Sequence, residues 1–493
     1  MNPSVASIIC ACGIAGLVYL NRDNTVRTSK ALWLPVAWIS IMGSRPVSEW
    51  LGINPSGANV QLDGSPVDAA IFGALLAAAI VVLISRGRRT RAFVAANWPI
   101  LVYFFYCLIS VAWSYHPDVS FKRWIKAIGD PAMILIIATD GQPVAAFRRL
   151  ISRVGFLLLP TSVLLIKYYD ALGRGYTPDG APENTGVTRN KNSLGLIVFL
   201  VSLGALWNVR ALLIDKEAPN RTRRLVAQSA LLAFGIVLLE MAHSATSVAC
   251  FILGGGLMLL TTRRAIRNRP GRVYALCLAI VLAGGLSMLF GGGSLVSSAL
   301  GRGEGLSGRT EIWAAVLGAA GNPLIGTGFE SFWISPNVQI VYRSLKGWWD
   351  PETINEAHNG YIEVYLNLGL IGVFLIVLIL IRSYRCAGNA FRRDPEFGSL
   401  MLAYLATGTF YSLTEAGFRS LSAAWFFLLL PVLSASADAA GLFGGEPRDV
   451  LSSRGGIAVR KPSAIKAIPA KATVFTTRRG FRRFEIAHEH SLR

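Results

Sequence analysis

Long apolar blocks recur along this chain from residue 3 to residue 437, separated by short polar stretches. The blocks at 3–20, 31–44, 69–85, 93–113, 126–139, 151–168, 193–214, 225–242, 245–262, 273–292, 361–381, 399–414 and 420–437 are each near the length of a hydrocarbon-crossing helix. The pattern predicts an all-α polytopic integral membrane protein with about 12–13 transmembrane helices and a large loop before a late helix. No soluble-sized gap interrupts the blocks, so 1–438 reads as one membrane domain. Residues 439–493 follow as a basic tail with little periodicity, expected to be a disordered cytoplasmic segment lying against anionic lipid.

Charge fixes an orientation for these spans. The formal net charge is +20, which on a soluble domain would suggest nucleic acid as partner. Here 53% of residues are hydrophobic and only 15% charged, and 35 of the 48 Lys and Arg fall on one side once alternate loops are assigned to the cytoplasm. Topology therefore explains the charge, and no nucleic-acid partner is expected. The opening residues, MNPSV, carry no Lys or Arg, which predicts a retained first span with its amino terminus outside. The outward loops are then 45–68, 114–125, 169–192 and 293–360. The largest begins with a Gly and Ser run expected to be flexible and continues as EIWAAVLGAAGNPLIGTGFESFWI, expected to form an amphipathic helix at the membrane surface. The six cysteines have no metal-ligand spacing, and most fall inside apolar blocks.

Candidate chemistry concentrates on the outward side. His358, in NEAHNGYIEVYLNLGLIG, stands in an outward loop where it meets a membrane-entering segment. Its imidazole can exchange a proton near neutral pH; the alternative is that it caps or anchors a helix end. Arg189 and Lys191 in TGVTRNKNSLG, and Arg309 in SGRTEIW, are cations retained against the general bias. A guanidinium fork matches paired phosphate oxygens and Lys adds a mobile charge, so the set suits a diphosphate, with interfacial snorkelling as the alternative. Glu240, Glu363 and Glu415 lie in or at the ends of apolar blocks, where a carboxylate needs a partner or a role. A helix starting near 358 would align Tyr361 and Tyr365 under His358, and Glu363 under Asn359.

The chain has no GxxxxGK, HExxH or GxSxG, and no outward Asp-x-Asp pair. The DPE at 350–352 is a weak metal signal. The expectation is metal-free chemistry with no cofactor, in which fixed cations take the place of a bound ion.

Several segments resemble the bacterial O-antigen ligase and polysaccharide polymerase superfamily. They are His358-Asn359 followed by Gly369 and Gly372, the loop GRTEIWAAVLGAAGNPLIGTGFESF, and RNKNSLG, with SVAWSYHPDVS and the SATS at 244–247 as softer matches. Together they extend over about 110–415. RNKNSLG is similar to the exopolysaccharide polymerase branch and tilts the reading from ligase towards polymerase.

The resemblance implies transfer of a glycan from an undecaprenyl-diphosphate-linked oligosaccharide to an acceptor glycan or lipid A core, at the periplasmic face of the bacterial inner membrane. Membrane lipids and a chain-length regulator are the further partners it implies. His358 would be the base or the acceptor-orienting group, with Arg309 and Arg189 or Lys191 on the diphosphate, and Asn359, Tyr361 and Glu363 in the substrate site. Direct displacement would make the transfer inverting. The competing reading is a multi-span transporter or flippase of a glycolipid or small anion, which would use the intramembrane carboxylates but calls for inverted repeats and broken helices near the midplane.

Overall fold

The computed structural model describes residues 1–53, 64–176, 180–261, 263, 271–272, 275–279, 309–345 and 354–434. The chain divides into two compact units, Met1–Gly444 and Gly445–Arg493. The predicted tail at 439–493, the Gly and Ser run before Arg309 and the DPE segment lie outside the described residues.

Among the described residues the first unit is mainly helical, with one short hairpin. Its main helices are α1 (Pro3–Leu20), α2 (Trp33–Met42), α3 (Pro66–Ser85), α4 (Gly87–Ala96), α5 (Trp98–Ser110), α6 (Pro117–Ala127), α7 (Gly129–Ala138) and α8 (Pro143–Tyr168). The antiparallel strands β1 (Arg174–Tyr176) and β2 (Pro182–Asn184) follow, with Arg174 opposite Asn184. Then come α9 (Lys191–Ile214), α10 (Arg221–Ala242), α11 (Ala245–Thr261), α12 (Arg309–Gly318), α13 (Asn337–Ser344), α14 (Gly360–Arg393), α15 (Pro395–Thr414) and α16 (Ala423–Ser434).

Among the described residues six helices, α1, α3, α8, α9, α10 and α14, are long and apolar enough to cross a membrane, or seven if the bent pair α4 and α5 forms one span. The protein is an all-α multi-pass membrane protein. Several expected blocks are interrupted. The block at 93–113 is bent by 82° between α4 and α5. Those at 31–44 and 126–139 give α-helices of ten residues each. Most of 273–292 lies outside the described residues.

Local chemistry sets the helix starts. Asn2 caps α1 by accepting from the Ser4 amide, with Pro3 at the first turn. Asn190 caps α9 through the Ser193 amide, and Asp394 caps α15 through Glu396 and Phe397. The core is formed by α7, α8, α9, α15 and α16, where Trp207, Tyr404, Trp425 and Phe427 are buried. By contrast α1 buries only Ala6, leaving its apolar surface to face lipid.

The expected amphipathic helix after Arg309 is a different structure. Its α-helix is confined to Arg309–Gly318; Asn322–Gly328 forms a glycine-rich turn, and α13 completes a small separate core around Val316, Phe332, Val341 and Leu366. The span expected at 361–381 is also broken, because Gly369 adopts φ 63° and ψ −165° inside α14. That conformation is open almost only to glycine. Backbone groups freed by the break pair with the turn: the Leu370 amide donates to the Pro323 carbonyl at 2.9 Å, and the Gly328 amide to the Asn367 carbonyl at 2.8 Å. Irregular backbone at such depth persists only where protein satisfies it, and the turn supplies those partners.

Candidate active site

Asn359 caps α14, its side-chain oxygen accepting from the Tyr361 and Ile362 amides while its NH2 donates to the Leu413 carbonyl at 3.1 Å. This cap fixes the residue before it. His358 takes φ 47°, a left-handed conformation uncommon outside glycine, and its side chain is 32% exposed. Its Nδ1 lies 3.0 Å from Glu356 Oε1 and 3.2 Å from Glu415 Oε2. Burial alone would lower the pKa of the ring, but hydrogen bonds to the two carboxylates and their charges push it up to about 9. The ring is therefore an imidazolium at neutral pH, with Nε2–H as its remaining donor.

Glu415 ends α15 and is the hub of the cluster. Oε1 accepts from Arg309 Nη2 at 2.9 Å and from Asn192 Nδ2 at 3.2 Å, while Oε2 faces His358. One carboxylate thus ties the starts of α9, α12 and α14 to the end of α15. Glu356 lies below the usual carboxylate range: burial acts to raise it, but the His358 hydrogen bond and the charges of His358, Arg419 and Arg309 outweigh burial. Arg419 continues the network, with Nη1 4.0 Å from Glu356 and Nε 3.7 Å from Glu330.

Glu363 is buried one turn into α14, where it accepts from Trp333 Nε1 at 2.6 Å and from the Ala357 amide at 3.0 Å. It holds the segment leading to His358, and its own amide donates to the Asn359 carbonyl one turn back at 2.9 Å. Tyr361 stacks edge-on against Phe418 at 4.9 Å. Glu240, expected to be buried, is exposed on α10.

The outward cations separate. Arg309 joins His358 through Glu415, whereas Arg189 pairs with Glu49 at 2.8 Å and Lys191 with Glu183 at 3.3 Å. Neither of these ion pairs is part of the His358 network, although both residues stand on the turn that leads to Asn192. Glu356, Asn192, Arg419 and Glu330 are members of the cluster that the sequence reading passed over. Glu415 and Arg419, four residues apart in an otherwise apolar stretch, were the readable signal.

The other sequence motifs meet here too. Gly328 abuts Ser114, and its neighbour Phe329 donates from its amide to Ser110 Oγ at 3.1 Å. Gly195 packs on Ser244 and Ser247, where a Cβ would stand 2.5 Å from Ser247 Oγ. Residues 229–377 match the family model described as O-Antigen ligase. The likeness to the O-antigen ligase family covers those residues.

The exopolysaccharide production protein ExoQ of Rhizobium meliloti (strain 1021) is 25% identical over 312 residues, covering 60% of this chain and 67% of that protein. Both similarities point to the O-antigen ligase and polysaccharide polymerase superfamily. Arg309, Glu356 and His358 stand within the matched residues, while Glu415 and Asn192 come from outside them.

Glu356, His358 and Glu415 bring one potential ligand atom each within 4.8 Å of one another, a grouping that can in principle hold a cation. The same three groups also fit an ion-pair network, in which Arg309 supplies positive charge to Glu415.

Proposed function

We propose that this protein transfers a glycan from an undecaprenyl-diphosphate carrier to an acceptor sugar hydroxyl at the periplasmic face of the inner membrane. The observation that carries the reading is that Arg309, Glu356, His358 and Glu415, drawn from separate segments, form one hydrogen-bonded cluster at the starts of α12 and α14. The similarity to ExoQ favours exopolysaccharide polymerisation over ligation to a lipid A core.

In this reading the acceptor oxygen bonds to the anomeric carbon as the bond to the diphosphate oxygen breaks, inverting the centre. His358 orients the reacting groups through Nε2–H, and Arg309 stabilises the charge growing on the diphosphate. Of the two roles expected for His358, its resting charge suits orientation. Glu356 is the carboxylate with an oxygen to spare for the acceptor proton, because its Oε2 has only Arg419 at 4.0 Å. Arg189 and Lys191 supply outer positive charge along the approach to Asn192. The chemistry is metal-independent.

The test is complementation of a deletion strain of the source bacterium with wild type or His358→Ala at equal membrane levels. Loss of surface polysaccharide with accumulation of single lipid-linked repeats supports a polymerase. Polymer formed but not joined to lipid A indicates the ligase subclass, and full complementation by His358→Ala overturns the catalytic assignment.

A further inference from the structure

A second built site lies towards the other end of the bundle. α8 runs from Pro143 to Tyr168, and the hairpin beyond it packs back on its carboxyl end, where the Val187 amide donates to Ser162 Oγ at 3.4 Å. From Val187 the chain leads directly into α9 and to Asn192 on Glu415. Arg149 is therefore separated from that end by most of the helix, roughly 28 Å at 1.5 Å per residue. Lys and Arg bias assigns this distant end to the cytoplasm.

There the loop at 21–28 and the first half of α8 enclose a cavity of about 740 Å³ lined by Arg22, Arg27, Arg149 and Arg153, with Asp23 as its only carboxylate. That carboxylate is already taken, because Asp23 Oδ2 pairs with Arg224 at 2.9 Å. Arg149 fixes the loop through neutral acceptors, the Thr28 hydroxyl and the carbonyls of Asp23 and Val26. Arg153 stacks on Trp33 at 4.2 Å, and neither it nor Arg27 has a carboxylate partner among the described residues.

An adjoining cavity of about 250 Å³ is lined by Arg224 and Asn208, in which Arg224 Nε and Asn208 Oδ1 are buried without a hydrogen-bond partner. Buried polar atoms are rarely left unpaired, so this end of the bundle has polar capacity that the protein itself does not use.

The same two helices continue the site as an apolar one. Ala15 and Val18 of α1 and Phe156 of α8 line the arginine-rich cavity. Further along, Cys10, Gly13 and Leu17 of α1 and Pro160 and Leu164 of α8 line a separate cavity of about 410 Å³ that is almost wholly apolar. Gly13 borders open space in this seam, since a Cβ there would meet nothing within 4 Å. Surplus positive charge at one end and an apolar channel along the next helical turns match an amphiphile with an anionic head.

We propose that the seam between α1 and α8 binds an anionic phospholipid, its phosphate held by Arg27 and Arg153 and an acyl chain lying along Gly13 and Leu164.

The full chain, purified in mild detergent and exposed to equimolar phosphatidylglycerol and phosphatidylethanolamine, is examined by native mass spectrometry. Phosphatidylglycerol should be retained in preference. Arg27→Gln with Arg153→Gln should lower its occupancy about tenfold, each removed cation near the headgroup counting for several-fold. Gly13→Phe, which fills the apolar channel without touching the arginines, should lower occupancy while leaving the melting temperature unchanged. If the double variant does not purify as a single species, Arg27→Gln alone, at an exposed position, carries the charge test. Equal retention of the two lipids by wild type overturns the proposal. So does displacement of the lipid by millimolar inorganic phosphate together with full retention in Gly13→Phe, which would mark a site for a free anion.

Discussion

Gly369 lies so close to Leu324 that a Cβ on the glycine would stand 2.2 Å from the Leu324 carbonyl carbon. The contact joins the break in α14 to the Pro323–Gly328 turn, and it is reciprocal: a Cβ on Gly326 would meet the Asn367 backbone at 2.4 Å. Two sequence motifs that looked independent are therefore one backbone joint. Gly369→Ala must force the backbones apart and also place a side chain at a strained φ, a cost of about 1–3 kcal/mol for the strain alone. The variant should show a lowered melting temperature and lose glycan output. Gly16→Ala on α1, where a Cβ meets nothing within 4 Å, should be neutral or slightly stabilising in the same thermal assay.

His358 gives the site a defined pH response. Its pKa in the folded protein, about 9, lies above the ordinary histidine value of 6.5, so the folded state holds the extra proton more tightly. The stability this contributes is fully present below about pH 6.5 and is lost as pH rises through about 9. Wild type should lose thermal stability across that window, with a shallower slope in His358→Gln. Transfer should also decline above about pH 9 if the imidazolium is the working form. A rate that climbs towards pH 9 would instead make neutral His358 the base.

Arg309 spends one guanidinium nitrogen on Glu415 and is 24% exposed, so its remaining donors can face a diphosphate. Arg309→Lys preserves the charge and the ion pair but not the fork. Transfer should fall by about a hundredfold, the scale for losing one preorganised donor to a developing anion. Near-normal output from the Lys variant would remove the paired phosphate contact from the mechanism.

Lys191 is balanced by Glu183 at 3.3 Å and is held off the His358 network. If it only attracts the donor, Lys191→Ala should raise KM several-fold with kcat little changed. A drop in kcat equal to that of the Arg309 variant would place Lys191 at the reacting diphosphate.

Chelation tests the proposed independence from metal. Transfer by purified protein should continue in excess chelator. Activity that disappears and is restored by magnesium would turn Glu356, His358 and Glu415 into metal ligands and require a different account of their proton sharing.

The helical membrane architecture was readable from sequence, because hydropathy blocks are local signals. Carboxylates at Glu363 and Glu415 stood out for the same reason: charge within an apolar stretch demands a partner. Their partners were not readable. Trp333 for Glu363, and Arg309, Asn192 and His358 for Glu415, come from distant segments that only packing brings together.

Hydropathy also could not show that 361–381 is broken, since Gly369 is as compatible with an apolar run as with a kink. What decides the break is the Pro323–Gly328 turn satisfying the freed backbone groups. Similarly, Arg189, Lys191 and Arg309 looked equivalent as outward cations. Tertiary structure separated them by giving the first two their own carboxylates, Glu49 and Glu183, and leaving Arg309 on the carboxylate that holds His358. Sequence by itself marked Glu363 and Glu415 as groups that must find partners, because charge within an apolar stretch is a local property; only the tertiary structure decided which partner each one has and left Glu240 exposed.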